Sequence, residues 1–413
     1  MIRLGTRGSA LALAQARWVA ERLPGEVELV PITTSGDQSP RLKGSDPLSA
    51  SDSTQLRWTG GLTPFVSVAG VRLEEAQRLW QPETVYLNTA SYGLPPQPAW
   101  DALQAVLADW RGGRTSWEGW GDSTESARAS FARLVGVPTE WIAIGANTSS
   151  MVGLVAASLP DGSRVVSAEP EFTSLLWPFL AQERGIEVDH VPVPDLAASV
   201  DERTDVVALS VVQSSTGEVA DLRAVVDAAN GHDALVVVDA TQACGWLPVD
   251  AGRIDVLACS AYKWLCSPRG TAFMSIRPEL YDRLTPHAAG WYAGEDPHAS
   301  YYGPPLRLAS DARRFDVSPA WFPWIATAPT LDLLLEIGID VIHEHDLRLA
   351  NRFRAGLGLP PADSAIVSAE LPEAEERLRG TRVMAAARAG LLRTSWHVYN
   401  TDDDVDELLG LLV

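Results

Sequence analysis

The chain has 413 residues, of which 46% are hydrophobic and 21% are charged. This composition supports a large buried core, excludes an intrinsically disordered protein, and at this length suggests two to three domains. The formal net charge of −20 argues against nucleic acid or an anionic membrane as a partner. No apolar run approaches the roughly 20 residues needed to span a bilayer, so we expect a cytoplasmic protein.

The three cysteines, Cys244, Cys259 and Cys266, lie in or beside apolar segments. Their number is odd, and neither a C-x-x-C spacing nor a Cys/His ligand set accompanies them. We interpret them as small buried residues of a protein in a reducing compartment, and the sequence predicts no metal site.

The first 37 residues predict a short strand, a Gly-Ser turn, an amphipathic helix and a second strand at 27–32. Because this segment is Arg-rich and has no acid before Glu21, it also has features of a transit peptide. The stretches IRLGTRGSALALAQARWVAERL and VPITTSGD, however, resemble the extreme N-terminus of porphobilinogen deaminase. Nothing that follows resembles the catalytic body or the cofactor-bearing cysteine region of that enzyme, so we do not infer tetrapyrrole chemistry. We interpret 1–37 as a fused fragment and the Ser/Gly/Pro-rich segment 38–70 as a linker.

The segment from Val71 begins with a predicted helix, VRLEEAQRLW, and continues to the turn around Asn88. Helices over 100–110 and 123–134 follow. A strand at 141–145 then opens through Thr148 and Ser149 into a helix over 150–159. The free N–H groups of a helix start, with two hydroxyls beside them, favour an anion-binding site, although a Thr/Ser pair at this position is more often only a helix cap.

Two further strands end in polar or aromatic residues. The strand at 164–167 precedes Phe172, and the strand at 206–212 runs into Gln213 and Ser214. Either polar side chain could reach a ligand beyond the second strand, and the sequence does not choose between them. A phenylalanine such as Phe172 is about as often a core residue as a ring that covers a ligand.

The segment 235–276 holds the most specific pattern. Three apolar β-branched runs predict buried strands; the first ends at Asp239, and the second is followed by Ser260 and Lys263. A lysine that forms a Schiff base and a carboxylate that keeps the pyridine nitrogen protonated are what pyridoxal phosphate requires. Strands alternate with helices from 141 to 276, which predicts a mostly parallel sheet with its ligands beyond the carboxyl ends of the strands.

The lysine content makes Lys263 the candidate for the cofactor linkage. Of the 33 basic residues only two are lysine, and the other, Lys43, lies in the polar linker. The alternative is a lysine whose stem packs at a strand end while its ammonium reaches water. No G-x-G-x-x-G or P-loop motif competes with this interpretation.

The stretches VVVDATQACGWLPVD, SAYKWLCSPRG and LLRTSWHVYNTDDDVDELL resemble the class V aminotransferase group of fold-type I pyridoxal-phosphate enzymes. This group includes cysteine desulfurases, isopenicillin N epimerase-like proteins, kynureninase and the ergothioneine-pathway C–S lyase. The resemblance covers about 71–413. It implies an α/β fold in which helices sandwich a mostly parallel mixed sheet, with a large cofactor domain at 71–310 and a smaller C-terminal α+β domain at 311–413.

The resemblance also implies roles for individual residues. Lys263 is the catalytic residue, Arg393 binds the substrate's α-carboxylate, and Asn88 contacts substrate unless it only forms a turn. Phe172 stacks on the pyridine ring. The expected cofactor-binding residues are Asp239, Gln242, Thr148, Ser149, Phe172, Ser260, Ser214 and Gln213. In this family the stretch from Trp291 to Trp321 crosses to the other subunit's active site, which implies a homodimer, although Trp321 and Trp324 fit an ordinary core equally well.

These residues predict chemistry on an α-amino acid. Persulfide-forming desulfurases of this family need a cysteine shortly before the carboxylate-binding arginine, and this chain has none after Cys266. Transamination, β-elimination including C–S cleavage, epimerisation and decarboxylation remain. An aminotransferase-type enzyme is our first expectation and a C–S β-lyase the second. A catalytically inert scaffold is the alternative from another class, and the intact set of Asp239, Lys263 and Arg393 argues against it.

Overall fold

The computed structural model describes residues 2–6, 27–31, 71–115, 117–388 and 390–413. The chain divides into two compact units, 1–65 and 66–413. In the first unit, strands β1 (Ile2–Thr6) and β2 (Val27–Pro31) pair in parallel, which confirms both predicted strands. The helix predicted between them and the predicted linker lie outside the described residues.

The second unit alternates helices with strands. Its strands are β3 (Val85–Tyr86), β4 (Ile142–Gly145), β5 (Arg164–Ala168), β6 (Glu187–Val191), β7 (Val206–Ser210), β8 (Leu235–Asp239), β9 (Val256–Ser260), β10 (Ala272–Ile276), β11 (Ile366–Ala369), β12 (Val383–Met384), β13 (Ala386–Arg388) and β14 (Leu391–Ser395). Its α-helices are α1 (Leu73–Gln77), α2 (Gln97–Arg111), α3 (Trp117–Leu134), α4 (Thr148–Ser158), α5 (Thr173–Leu180), α6 (Leu222–Gly231), α7 (Trp321–Ile337), α8 (Ile339–Gly356), α9 (Ala374–Leu378) and α10 (Asp402–Leu412).

A seven-stranded sheet forms the centre of this unit, in the order β4-β10-β9-β8-β7-β5-β6. β10 is antiparallel to both of its neighbours, and the remaining pairs are parallel. The sheet is therefore mixed and mostly parallel, as the sequence predicts. Because β10 is antiparallel to β4 and to β9, those two strands point the same way, and the carboxyl ends of all strands except β10 lie at one edge.

The apolar runs form strands here because both faces of the sheet are covered. Val236 and Val238 pack into the hydrophobic cluster on one face, while Val237 packs into the cluster on the other. A strand buried on both sides needs apolar residues at every position, which explains the uninterrupted runs. At the edge of the sheet β6, with the sequence Glu-Val-Asp-His-Val, is half-exposed and has no such run, so the sequence did not predict it.

The helix after β4 begins earlier than the sequence predicts. Its first residue is Thr148 instead of Ser150, because the side chain of Asn147 accepts a hydrogen bond of 2.9 Å from the Ser150 amide and caps the helix. This cap places Thr148 in the first turn, directly beyond the end of β4.

The C-terminal part of the unit contains a three-stranded antiparallel sheet in the order β11-β14-β13. A third hydrophobic cluster, which includes Leu349, Phe353, Trp396 and Leu408, joins this sheet to α8 and α10. Helix α7 packs against α2 and α3. Within the part of the chain that the structure describes, no helix is both long and apolar enough to cross a membrane.

Candidate active site

The site lies at the sheet edge where β4, β7, β8 and β9 end. Asp239 is the last residue of β8 and Ser260 the last of β9. Lys263 follows Ser260 by three residues in a buried turn, and only 6% of its surface is exposed. Parallel strands end at a common edge, so residues far apart in sequence meet here.

The amine of Lys263 lies close to two aromatic rings. Its Nζ atom is 5.1 Å from the centroid of the Phe172 ring and 5.8 Å from that of Tyr262. Phe172 is 41% exposed. The structure thus brings Phe172, predicted to stack on the cofactor, beside the predicted catalytic lysine and at the border with solvent.

Asp239 is a buried carboxylate in the electrostatic field of Lys263. Burial raises the pKa of Asp239, and a hydrogen bond of 2.8 Å from the Thr241 amide and the attraction of Lys263 oppose that rise. Besides Thr241 and Lys263, a further proton-bearing group next to Asp239 would stabilise the ionised form of its carboxylate. The protonated ring nitrogen of pyridoxal phosphate provides one.

Three hydroxyl groups meet at the start of helix α4. The Thr148 hydroxyl is 2.9 Å from that of Ser260 and 3.1 Å from that of Thr241. The sequence predicted Thr148 and Ser260 but missed Thr241, whose position between Asp239 and Gln242 is the signal that would have found it. These hydroxyls, beside the positive end of an eleven-residue helix, have the chemistry that binds a phosphate.

Ser149 is placed differently from Thr148. It is exposed, and its hydroxyl donates a hydrogen bond of 2.8 Å to the Asn147 side chain. Its predicted contact with the cofactor stays a prediction.

The side chain of Gln242 joins two other turns. Its Nε2 atom donates to the Ala90 carbonyl at 3.0 Å, and its Oε1 atom accepts from the Trp264 indole at 2.8 Å. Gln242 thereby connects the end of β8 to the Lys263 turn and to the turn that carries Asn88. This places it within the site without showing which of its atoms faces the cofactor.

Glu171, which the sequence analysis did not single out, holds the segment with Phe172 in place. Its carboxylate accepts hydrogen bonds from the Phe172 amide at 2.7 Å, from the Ser210 amide at 2.8 Å and hydroxyl at 2.6 Å, and from the Gln213 amide group at 3.1 Å. Burial raises the pKa of Glu171, although these donors oppose the rise. The amide group of Gln213 is thus directed at Glu171, while Ser214 contributes its carbonyl oxygen to Arg393.

Arg393 lies on β14 and is 2% exposed. It donates to the Ser91 hydroxyl at 2.7 Å and to the Ser214 carbonyl. Asn88 lies in the same turn as Ser91, because its carbonyl accepts a hydrogen bond of 2.8 Å from the Ser91 amide. The side-chain oxygen of Asn88 is buried and has no hydrogen-bond partner among the described residues, so it is available to accept a hydrogen bond from a donor group.

Gly93 allows the turn with Asn88 to lie against the lysine turn. Its amide donates to the Tyr262 carbonyl at 2.9 Å. A Cβ atom added here would stand 1.9 Å from the Lys263 carbonyl oxygen, so only glycine fits. The contact between these two turns, the buried lysine, the buried carboxylate and the three hydroxyls at the start of α4 together fit pyridoxal phosphate.

Two family models match the chain. The model described as Aminotransferase class-V matches residues 85–378. The model described as Porphobilinogen deaminase, dipyromethane cofactor binding domain, matches residues 2–56. The second match confirms the resemblance of the N-terminal fragment and spans residues that the structure mostly does not describe.

Similar proteins cover most of the second unit. An uncharacterised aminotransferase, YcbU, of Bacillus subtilis (strain 168) is 29% identical over 70% of this chain and 83% of its own length. Isopenicillin N epimerase of Streptomyces clavuligerus is 28% identical over 84% of this chain and 98% of its own length. A solved structure of C-DES, a cystine C–S lyase, in complex with its reaction product cysteine persulfide is 20% identical over 80% of this chain and 97% of that one, with a TM-score of 0.71. Another structure of C-DES has glycine covalently linked to its PLP cofactor.

Proposed function

The chain belongs to the aminotransferase class-V family, whose cofactor is pyridoxal phosphate, and from this premise we propose that it transforms an α-amino acid with Lys263 as the residue that binds the cofactor. The observation that carries the proposal is the buried Lys263 amine beside Phe172 and in the field of the buried Asp239. Aminotransferase-type chemistry is the reaction that we propose first.

Each group of residues in the site has a distinct task. Bound pyridoxal phosphate supplies an electron sink at the α-carbon of the substrate. The hydroxyls of Thr148, Thr241 and Ser260 would bind the phosphate, and Asp239 would keep a proton at the pyridine nitrogen. The Lys263 Nζ atom would hold the cofactor and, once free, would take the proton from the substrate's α-carbon.

The substrate's carboxylate binds at Arg393, whose planar guanidinium matches it with two parallel hydrogen bonds. The Ser91 hydroxyl and the Ser214 carbonyl orient that guanidinium. The side-chain oxygen of Asn88, which has no hydrogen-bond partner in the described part of the chain, would accept a hydrogen bond from the substrate. This arrangement supports an α-amino acid as substrate and favours it over a simple amine.

A C–S β-lyase acting on a cysteine S-conjugate is the second candidate, and an amino-acid epimerase the third. All three described cysteines are buried, and none lies after Cys266. A mechanism that stores sulfur on a cysteine of the loop before Arg393 is therefore not available to this chain. β-Elimination needs no such cysteine, and epimerisation needs none either.

We further propose that the protein is a cytoplasmic homodimer. Within the unit 66–413 of each copy, we propose a large domain that ends at residue 310 and a smaller domain that begins at residue 311. Aromatic rings of α3, α7 and the segment 291–302 pack together, including Trp117, Trp291, Tyr301 and Trp321. Next to them Tyr302 is 89% exposed. Apolar surface of this kind supports burial against a second copy.

A screen of amino acids tests the proposed reaction. The purified protein with pyridoxal phosphate is incubated with each amino acid and with a 2-oxo acid that accepts the amino group. After chiral separation, mass spectrometry scores the new 2-oxo acid and amino acid, pyruvate with ammonia and thiol, or the inverted isomer. Formation of a 2-oxo acid with transfer of the amino group supports the first proposal. Pyruvate plus thiol would transfer the assignment to the β-lyase, and a protein that shows no visible cofactor band and no product would be the inert scaffold.

Deletion of Met1–Ala69 should leave cofactor binding unchanged. All residues that we place in the site belong to the unit 66–413, so the truncated protein should bind pyridoxal phosphate with the same affinity in an absorbance titration. A folded truncation that has lost the cofactor would show that the N-terminal segment contributes to the site.

A further inference from the structure

A buried acid–base pair lies behind the lysine turn. Asp346 of α8 and His397, two residues after β14, both have fully buried side chains, and the Asp346 Oδ2 atom is 2.9 Å from the His397 Nδ1 atom. The other ring nitrogen, Nε2, is 2.9 Å from the carbonyl oxygen of Trp264. Trp264 directly follows Lys263.

The two partners of His397 determine its protonation. The Trp264 carbonyl can only accept, so Nε2 carries a proton, and Nδ1 also donates when the Asp346 carboxyl is ionised, which makes the ring an imidazolium. Burial by itself lowers the pKa of His397, but the attraction of Asp346, then that of Cys266, and hydrogen bonds to both side chains outweigh it and raise the pKa to about 10. Burial raises the pKa of Asp346, and the attraction of His397 opposes that rise. When Asp346 is ionised the two side chains form an ion pair, and the hydrogen bond of His397 to Trp264 is charge-assisted.

The pair connects the parts of the site that we assign to cofactor and to substrate. On one side, the Trp264 indole donates to Gln242, and Gln242 donates to Ala90 in the turn with Asn88. On the other side, His397 lies four residues after Arg393, just beyond the end of strand β14 that carries Arg393. A contact between Trp264 and His397 thus fixes the lysine turn relative to the carboxylate-binding arginine.

We propose that the Asp346–His397 pair is a positioning element that sets the Lys263 turn relative to Arg393. This inference rests on the proposed function, because it assigns the pair's effect to the placement of the lysine amine and of the substrate's carboxylate. His397 touches neither cofactor nor substrate in this scheme and acts through the Trp264 peptide. The burial of both side chains makes the placement rigid, since neither can exchange its partner for water.

Two variants remove the pair with little change of shape. Asp346→Asn removes the carboxylate charge, and His397→Gln keeps a donor for the Trp264 carbonyl but cannot form the ion pair. Phe353→Leu is the matched control, because Phe353 lies on the same helix and packs against Trp396, beside His397, without a polar contact to the pair. All three variants loosen the packing of helix α8 against the segment that follows β14. Only Asp346→Asn and His397→Gln also alter the hydrogen bonds to the lysine turn.

The first readout is kinetic and uses the enzyme saturated with pyridoxal phosphate. A misplacement of about 1 Å at a distance from the chemistry lowers rates about 100-fold, so kcat should fall by about that factor in both pair variants. KM should change much less, because Arg393 itself is intact. The pH midpoint of the bound cofactor's visible band should shift as well. In Phe353→Leu, kcat should stay within about twofold, as for an independent site.

The second readout does not depend on activity. Amide hydrogen exchange over residues 261–267 should accelerate in the pair variants, because the amides of Cys266 and Ser267 are bonded within this turn, to Lys263 and Ala261. It should not accelerate in Phe353→Leu. If Asp346→Asn does not fold, His397→Gln carries the test by itself, because its side-chain amide still donates to the Trp264 carbonyl, and its kcat and exchange are compared with those of Phe353→Leu.

The outcomes separate the two proposals. A wild-type protein that binds cofactor and converts an amino acid, with pair variants that match Phe353→Leu in kcat and in exchange, would overturn the inference alone. A wild-type protein that neither binds cofactor nor reacts would overturn the proposed function, and unchanged exchange over 261–267 would then refute the positioning of the turn independently.

Discussion

Lys263→Ala should abolish the visible absorbance of bound pyridoxal phosphate and lower turnover by at least the 10²- to 10⁴-fold that a positioned acid–base group contributes. The chain has no other lysine in the region that we assign to the site, and without a primary amine at this strand end the cofactor has no covalent attachment. The fold should persist, because truncation of a side chain in a ligand cavity removes a buried charge and leaves the strand–turn backbone unchanged. Absorbance spectra and a thermal unfolding curve of the same sample check both parts.

The matched control is Lys43→Ala, which removes the other lysine of the chain. This variant should keep the absorbance band and full activity. A visible band that survives in Lys263→Ala but disappears in Lys43→Ala would transfer the cofactor attachment to the N-terminal part of the chain and refute the proposed site.

Arg393→Ala should raise KM for an α-amino acid far more than it weakens cofactor binding. The guanidinium is buried, and truncating one partner of a buried charge pair costs roughly 2–5 kcal/mol, which is about a 30- to 5,000-fold effect. Turnover should fall as well, because the carboxylate contact also aligns the α-proton for transfer. Steady-state kinetics and a titration with pyridoxal phosphate measure the two effects separately.

Two further variants sharpen this test. Arg393→Lys should recover little, because an ammonium group does not reproduce the planar fork. Ser91→Ala should give a smaller effect in the same direction, since it removes one acceptor that orients the guanidinium. Arg393 would have been assigned the wrong role if the wild-type enzyme used decarboxylated amine analogues as readily as amino acids.

The sequence identified those parts of the molecule that local patterns encode. Strands buried on both faces require continuous apolar runs, so β8 and β9 could be found together with Asp239 and Lys263 at their ends. The close approach of Gly93 to Lys263 could not be found in this way. It depends on two turns about 170 residues apart in the chain, and a glycine in a turn has no distinctive local pattern.

Residues that act only through distant partners were also missed. Glu171 acquires its role from Ser210, the last residue of β7, and from Gln213, three residues beyond that strand. Asp346 and His397 lie on different elements, and each by itself is an ordinary polar residue of a helix or a loop. By itself the sequence determined the sheet and placed Asp239 and Lys263 beyond its strands, because burial on both faces of a strand leaves a local pattern of apolar residues; the cofactor roles of these two residues stay predictions. Only the tertiary structure decided which buried polar groups meet, because a hydrogen bond between distant segments depends on the packing of the chain and leaves no periodic signal in either segment.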